Sequence, residues 1–381
     1  MNVSRMVNGE IDPNEKLNQS QIFVTTAGYK NTFSYEKLIQ FLCQMAVRPE
    51  NTMILGGTWR VPMVEGLLQK DFVRSLKLDG TYNEASFERE YESFWSGDVE
   101  SAFYSSERFD KLRVLQKPEK APNGRNNRNT YYLLGVDVGR TDCTTEIMVI
   151  KVAPSARGVP IKNIVNIITI DAENFIIQAR QIKRIFNQYK CRAAVVDGNG
   201  LGIGLIDLLV IDDTDPDNDE FLPGLGVIND ERDDDGRWRY RPLETENTIH
   251  NALYVMKANV ALNSDMHSYC KTQLTNGKVR FLINENLAKE KLLGTAKGKK
   301  MSAVQRAEEL RPYTQTSILR DQMLNLIEET EGAHIILKRS SRKIRQDKYS
   351  ALIYGLYYCK LEEEKRGRRR SRDMSKFMLF S

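Results

Sequence analysis

A chain of 381 residues, 41% hydrophobic and 28% charged, can build two domains and a sizeable core, and its composition is that of an ordinary globular protein. No apolar run approaches the roughly 18–20 residues of a membrane span, and the start Met1-Asn2-Val3-Ser4-Arg5 has no signal-peptide apolar region. The net charge of +5 excludes little, but its distribution is uneven: Asp212 to Asp235 is acidic, whereas Lys338 to Arg345 and Lys365 to Arg372 are strongly basic, as suits a polyanion held by its phosphates. The five cysteines, at 43, 143, 191, 270 and 359, form no CxxC pair and no zinc spacing, so they read as free thiols of a reducing cytoplasm.

In chain order, residues 1–20 are polar and read as irregular. Gln21 to Thr26 is a compact strand run. Tyr35 to Ala46 has helical periodicity, with Leu38, Ile39, Leu42 and Cys43 on one face. Asn83 to Trp95 predicts another helix, stopped by Trp95-Ser96-Gly97. Lys117 to Asn129 carries Pro118, Pro122, Gly124 and four asparagines with almost nothing apolar, which predicts a linker at 117–129 between a domain over 1–116 and another over 130–364. Residues 365–381 form a basic tail.

From Thr130 the pattern turns β-rich. Tyr131–Asp137, Thr144–Val152 and Ile164–Asp171 read as consecutive strands, Ala172–Tyr189 as an amphipathic helix, Arg192–Asp197 as a fourth strand and Ile203–Val210 as a short helix. Right-handed crossover places the fourth strand parallel to the first and beside it. Further on, Gln273 to Phe281 around Asn276-Gly277 predicts a β-hairpin carrying Lys271, Lys278 and Arg280. Arg306–Glu328 reads as two helices broken at Pro312, His334–Lys338 as a short strand, and Asp347 to about Glu364 as the last helix.

This order puts three aspartates where carboxylates can converge. Asp137 and Asp197 end parallel strands at one sheet edge, where open α/β sheets bind ligands, and Asp347 opens a helix. Converging carboxylates repel, and hard oxygen donors suit Mg²⁺ or Mn²⁺. Two such ions serve phosphodiester hydrolysis. Around them, Arg339, Arg342, Lys343, Arg345 and Lys348 are candidate phosphate contacts, as are Lys278 and Arg280 on the expected hairpin. Asp142 and His334 are candidate auxiliaries. The glycines after Asp197, Gly198-Asn199-Gly200-Leu201-Gly202-Ile203-Gly204, fail the dinucleotide test because Ile203 takes the third glycine's place.

The whole order is that of an RNase H-like α/β domain with a mixed central sheet, and it resembles the large subunit of tailed-phage terminase over nearly the full chain. Leu134-Gly135-Val136-Asp137-Val138-Gly139, Val195-Val196-Asp197 and Asp347-Lys348-Tyr349-Ser350-Ala351-Leu352 are similar to that family's three nuclease motifs. Gln21 to Asn31 is similar to the coupling motif closing its ATPase core, and Phe87 to Gly97 to the segment after it. The resemblance implies a partial, mostly helical remnant of a P-loop ATPase domain before the nuclease. No Gly-Lys-Ser/Thr precedes Gln21, and Gly294 to Lys300 has the wrong spacing for a P-loop, so ATP hydrolysis by this chain alone is not expected.

It further implies an endonuclease with two Mg²⁺ or Mn²⁺ ions held by Asp137, Asp197 and Asp347, cutting concatemeric viral DNA with little sequence specificity. Its expected partners are double-stranded DNA, the portal protein, the small terminase subunit and the ATPase portion, in the host cytoplasm. A resolvase-like nuclease and a non-catalytic DNA- or portal-docking module are the alternatives.

Overall fold

The structure, a computed structural model, describes residues 6–7, 10–11, 22–28, 33–49, 52–69, 71–73, 87, 90–95, 102–124, 126–127, 129–139, 144–171, 174–200, 202–331, 334–340 and 344–378. It divides into two units, Met1–Asp98 and Val99–Ser381. Among the described residues no helix is long and apolar enough to cross a membrane.

In the first unit, Met6–Val7 pairs with Glu10–Ile11, and α1, Phe33–Val47, is the expected helix. No residue of α1 is buried. The run expected as a strand, Gln21 to Thr26, is not a strand: Gln21 lies outside the described residues, and 22–26 carry no regular structure and pair with nothing among them, where a strand requires a hydrogen-bonding neighbour. Its apolar side chains stand in solvent, Ile22 at 88% and Val24 at 93% exposure, and so does Leu55 at 87%. Side chains far apart in sequence meet within this unit, where Glu92 accepts from Trp59 Nε1 at 2.8 Å and from Arg60 Nη1 at 3.0 Å; Phe87 also stacks on Tyr91 at 5.2 Å. Of the helix expected over Asn83–Trp95, residues 83–86, 88 and 89 lie outside the described residues; 87 and 90 are helical, and the end, 91–95, is not.

The second unit is built on one eight-stranded sheet. Its strands are β1 (Arg113–Leu115), β2 (Tyr131–Asp137), β3 (Thr145–Pro154), β4 (Pro160–Ile170), β5 (Ala193–Asp197), β6 (Leu225–Val227), β7 (Ile249–Met256) and β8 (Val279–Leu282). Their order is β6-β7-β5-β2-β3-β4-β8-β1. Only β3 runs against the rest, pairing antiparallel with β2 and β4; β5 lies parallel beside β2, as the crossover requires. Helices cover both faces: α2 (Phe175–Tyr189) and α3 (Gly202–Val210) on one, and α4 (Val260–Thr275), α5 (Ala303–Leu324) and α6 (Asp347–Met378) on the other. Strands buried on both faces are apolar throughout, so along β2 Tyr132, Leu134 and Val136 pack toward α2 and α3, while Tyr131 and Leu133 pack toward α6.

Four expectations change. The boundary falls at Asp98 rather than in 117–129. Phe109 stacks on Phe281 at 4.3 Å, and β1 extends the sheet beside β8. The polar 117–129 stretch is strapped onto the sheet unit through Glu119 N to Val165 O at 3.2 Å and Asn126 Nδ2 to Lys190 O at 3.0 Å. Asn276-Gly277 makes no hairpin. Asn276 caps α4 and Gly277, at φ +64°, reverses the chain into β8, because a left-handed glycine also ends a helix. The hairpin of this region is β9 (Leu326–Glu331) with β10 (His334–Arg339). Pro312 does not break its helix. Buried with Tyr313, Thr316 and Leu319, it sits inside the continuous α5, where core contact outweighs the lost hydrogen bond. The basic tail continues α6 to Met378 instead of standing apart.

The closest approach of the two layers is α6 on β2. A Cβ on Gly135 would overlap the Ala351 carbonyl oxygen and lie 3.0 Å from Gly355 N; one on Gly355 would lie 2.6 Å from Ile150 Cδ1. Gly135→Ala is therefore expected to cost about 1–3 kcal/mol in urea denaturation, as overpacking does. Gly204→Ala in α3, where the nearest atom is 3.5 Å away, is expected to be neutral or to gain up to about 1 kcal/mol.

Candidate metal centre

The strand pleat decides which side chains share a face. Along β2 the residues 131, 133, 135 and 137 alternate onto the α6 side. Along β5 the same face holds Ala193, Val195 and hence Asp197. Asp137 is paired with Glu146 of β3, and Glu146 with Thr169 of β4. Asp197, Asp137, Glu146 and Thr169 thus form one row across four strands, all facing the start of α6. The helix supplies the rest. From the contact at Gly135, Asp137 lies two strand residues on, about 7 Å; from the same contact at Ala351, Asp347 lies four helix residues back, about 6 Å. Arg366 reaches the Tyr131 ring at 5.5 Å, so α6 runs antiparallel to β2. The two advances point the same way and bring Asp347 level with Asp137.

The electrostatics carry the mark of that convergence. Burial raises the Asp137 carboxyl well above the ordinary carboxylate range, and Asp347, Asp197 and Glu146 raise it further, in that order. Burial also raises Asp197, against smaller lowering effects from the Asn199 amide and the Tyr354 hydroxyl. The Asn199 amide is 3.0 Å from Asp197 Oδ1. The turn after Asp137 is held by a closed set of bonds. Gly139 N donates to Thr145 Oγ1 at 2.9 Å, Thr145 Oγ1 to Gln178 Oε1 at 2.8 Å, and Gln178 Nε2 to Gly139 O at 2.9 Å. After Asp197, Gly202 sits where any Cβ would overlap the Asp197 carbonyl oxygen, so these glycines serve a tight strand-to-helix turn.

The donors are all carboxylate oxygens, which fits a hard divalent cation. They face one another without closing into a cage: among the described residues no group of three or more His, Cys, Asp or Glu is close enough together to hold an ion.

The other sequence candidates fall in different places. Lys348 is buried, its Nζ 2.6 Å from Glu146 Oε2 and 3.1 Å from Thr169 Oγ1, so it is anchored in the row and not exposed for phosphate. Burial lowers its pKa, against the opposing pull of Glu146 and Asp347. Arg345 lies 3.9 Å from Asp347 and is half exposed. Arg339 is exposed at the end of β10, and His334 is exposed at its start. Arg342, Lys343 and Asp142 lie outside the described residues. Lys278 and Arg280 are not brought to the carboxylates. The β8 register pairs Val279 with Lys162, which lies level with Val152 and Tyr131, six residues and about 20 Å down the strands from Asp137. Sequence reading missed Glu146 and Tyr354. The available signal for Glu146 is a carboxylate directly before the apolar run Ile147–Ile150.

No protein-family model matches the chain, and no curated protein does. Among solved structures it is similar to the large terminase nuclease of thermophilic phage G20c with bound magnesium, at 10% identity and TM-score 0.38, over 68% of this chain and 98% of that one. It is similar to the large terminase nuclease domain of Thermus phage P74-26, at 9% identity and TM-score 0.35, over 66% and 93%. The bacteriophage HK97 large terminase gives 10% identity and TM-score 0.35 over 76% of this chain and 50% of that one.

A raised folded pKa means that Asp137 favours the folded state only while protonated. Its contribution is present below the unfolded carboxylate value near 3.8 and is lost as pH rises through the folded value. Asp137→Asn is therefore expected to be more stable than wild type in EDTA at neutral pH, with a gap that widens as pH rises through that window. Saturating Mg²⁺ is expected to stabilise only the wild type, closing the gap. Thermal melts across pH with and without Mg²⁺ check both.

Proposed function

We propose that this chain is a metal-dependent DNA endonuclease with an RNase H-like fold, acting as the nuclease of a phage DNA-packaging terminase. The observation that carries this reading is the row of carboxylates on one face of the sheet, with Asp137 at its centre and Asp347 brought level by α6. Asp137, Asp197 and Asp347 would hold two Mg²⁺ or Mn²⁺ ions. Bound there, such ions supply a hydroxide near neutral pH and stabilise the departing 3′ oxygen.

The chain's own residues do the positioning. Asp137, which feels both Asp347 and Asp197, would be the shared ligand. Tyr354 and the Asn199 amide fix the Asp197 carboxylate. Lys348, pinned by Glu146 and Thr169, keeps a positive charge behind the row and limits its repulsion. Arg345 and Arg339 are exposed and are proposed to take DNA phosphates; Arg342 and Lys343, outside the described residues, are proposed for the same role from the sequence alone. Such contacts read no bases, so cutting has little sequence preference.

The first unit supports the packaging part of the reading. A run with Ile22 and Val24 in solvent, and a helix with no buried residue, is what a strand and helix look like without the sheet that covers them. The remainder of an ATPase core is the partner proposed for it. The portal, the small subunit and the host cytoplasm follow from the same assignment.

Plasmid cleavage tests the nuclease. Wild type with Mg²⁺ or Mn²⁺ is expected to nick and linearise supercoiled DNA, EDTA to abolish this, and Asp137→Ala to bring it to background while leaving DNA binding in place. Folded wild type that binds DNA but never cuts it would refute the reading. Arg345→Ala is expected to weaken DNA binding on every sequence alike and to reduce the slope of log affinity against log salt by about 1; an unchanged slope removes Arg345 from the contact set.

A further inference from the structure

Beside the carboxylate row, a cavity of about 250 Å³ opens between the β9–β10 hairpin, α4 and the first turns of α6. At about 30 Å³ per water it has room for roughly eight waters, which is the scale of one nucleobase and too small for a base pair. Its lining is mixed: Val260, Ile335 and Ile353 form an apolar part, and its polar residues include Asn263, Gln346, His267 and Ser350. Two lining residues tie it to the site: Gln346 directly precedes Asp347, and Tyr354 donates to Asp197. The wall is fixed before any ligand arrives. Ile335 N donates to Ser264 Oγ at 2.9 Å, holding the hairpin on α4. His267 Nδ1 and the Tyr349 hydroxyl are 2.8 Å apart, with the rings stacked at 5.7 Å.

We propose that this cavity is a binding site for one unpaired nucleobase of the DNA strand being cut. The proposal rests on the nuclease reading for its orientation. A base placed between the apolar wall and the amides leaves its own phosphate one sugar away, at the carboxylates. An apolar slot with a few convergent polar groups is how flipped and single-stranded bases are received. Each primary amide offers both donor and acceptor, so Asn263 and Gln346 match the edge of any base. The site selects for strand opening and not for sequence, which agrees with the phosphate contacts around it. Duplex DNA enters only where it frays or is bent open.

The test is equilibrium binding by the full chain, in EDTA, of a short single strand and of the same strand with abasic residues through its middle. The variants are Gln346→Ala, at an exposed position on the cavity rim, and Ser350→Leu, which fills the cavity. Wild type is expected to bind the intact strand roughly tenfold tighter than the abasic one, as one stacked base provides. Both variants are expected to move that ratio toward one, while their affinity for the abasic strand is unchanged. A ratio near one in wild type, or a ratio unmoved in both variants, overturns the proposal. Plasmid nicking measured beside it keeps the two readings apart. Nicking with no base-dependent ratio removes the pocket and leaves the nuclease. A pocket-dependent ratio with no nicking does the reverse.

Discussion

The contact between Gly135 and the Ala351–Gly355 turn of α6 is the constraint on which the site depends. Neither glycine has a Cβ, so the last helix rests directly on the central strand, and any side chain at Gly135 would displace it. Where the helix touches sets how far along the strand its first residue falls. The distances from that contact, about 7 Å along β2 and about 6 Å along α6, match closely enough to bring Asp347 level with Asp137. The strand pleat then decides the remainder, because residues two apart share a face. A one-residue slip of β5 against β2 would send Asp197 to the opposite side of the sheet, among the aliphatic side chains under α2.

That geometry is held at an electrostatic cost. Glu146, Asp137 and Asp197 crowd one edge with Asp347 above, and one cation, Lys348, is buried among them. The surrounding core is large: on both faces of β2 the side chains from Tyr131 to Val136 are buried, and that burial offsets the repulsion. A region that strains the fold in this way marks a site kept for function rather than for stability. The first unit presents the opposite situation: among its described residues apolar side chains such as Ile22, Val24 and Leu55 stand in solvent, and α1 has no buried residue.

Much of the sheet unit was legible in the sequence because its signals are local. The apolar runs ending in Asp137 and Asp197, the amphipathic α2 and the strand His334–Arg339 fall within a few residues of where they were expected. The errors came where one local signal serves two structures. Asn276-Gly277 fits a hairpin turn and a helix C-cap equally, and only the burial of α4 decides for the cap. Pro312 breaks an isolated helix but not one pressed into a core. The Gln21–Thr26 run has the composition of a strand, and composition does not reveal whether a neighbouring strand exists. The convergence of the three aspartates was legible because each ends or opens an element; their role as ligands remains the proposal. Glu146 and the anchoring of Lys348 were not legible, since they depend on which residues meet when β3 pairs with β2 and α6 packs on them, and not on a pattern along the chain. The cavity beside α6 is assembled from three separate elements and has no signal in any one of them.

The measurement that bears most directly on the central claim is a crystal structure of the full chain grown with Mn²⁺, with the ions located by anomalous scattering. The account predicts manganese at the β2–β5 edge, with oxygens of Asp137, Asp197 and Asp347 all as ligands and Asp137 shared if two ions are present. Manganese bound elsewhere, or a well-ordered edge with the three carboxylates turned apart and no ion between them, would contradict it.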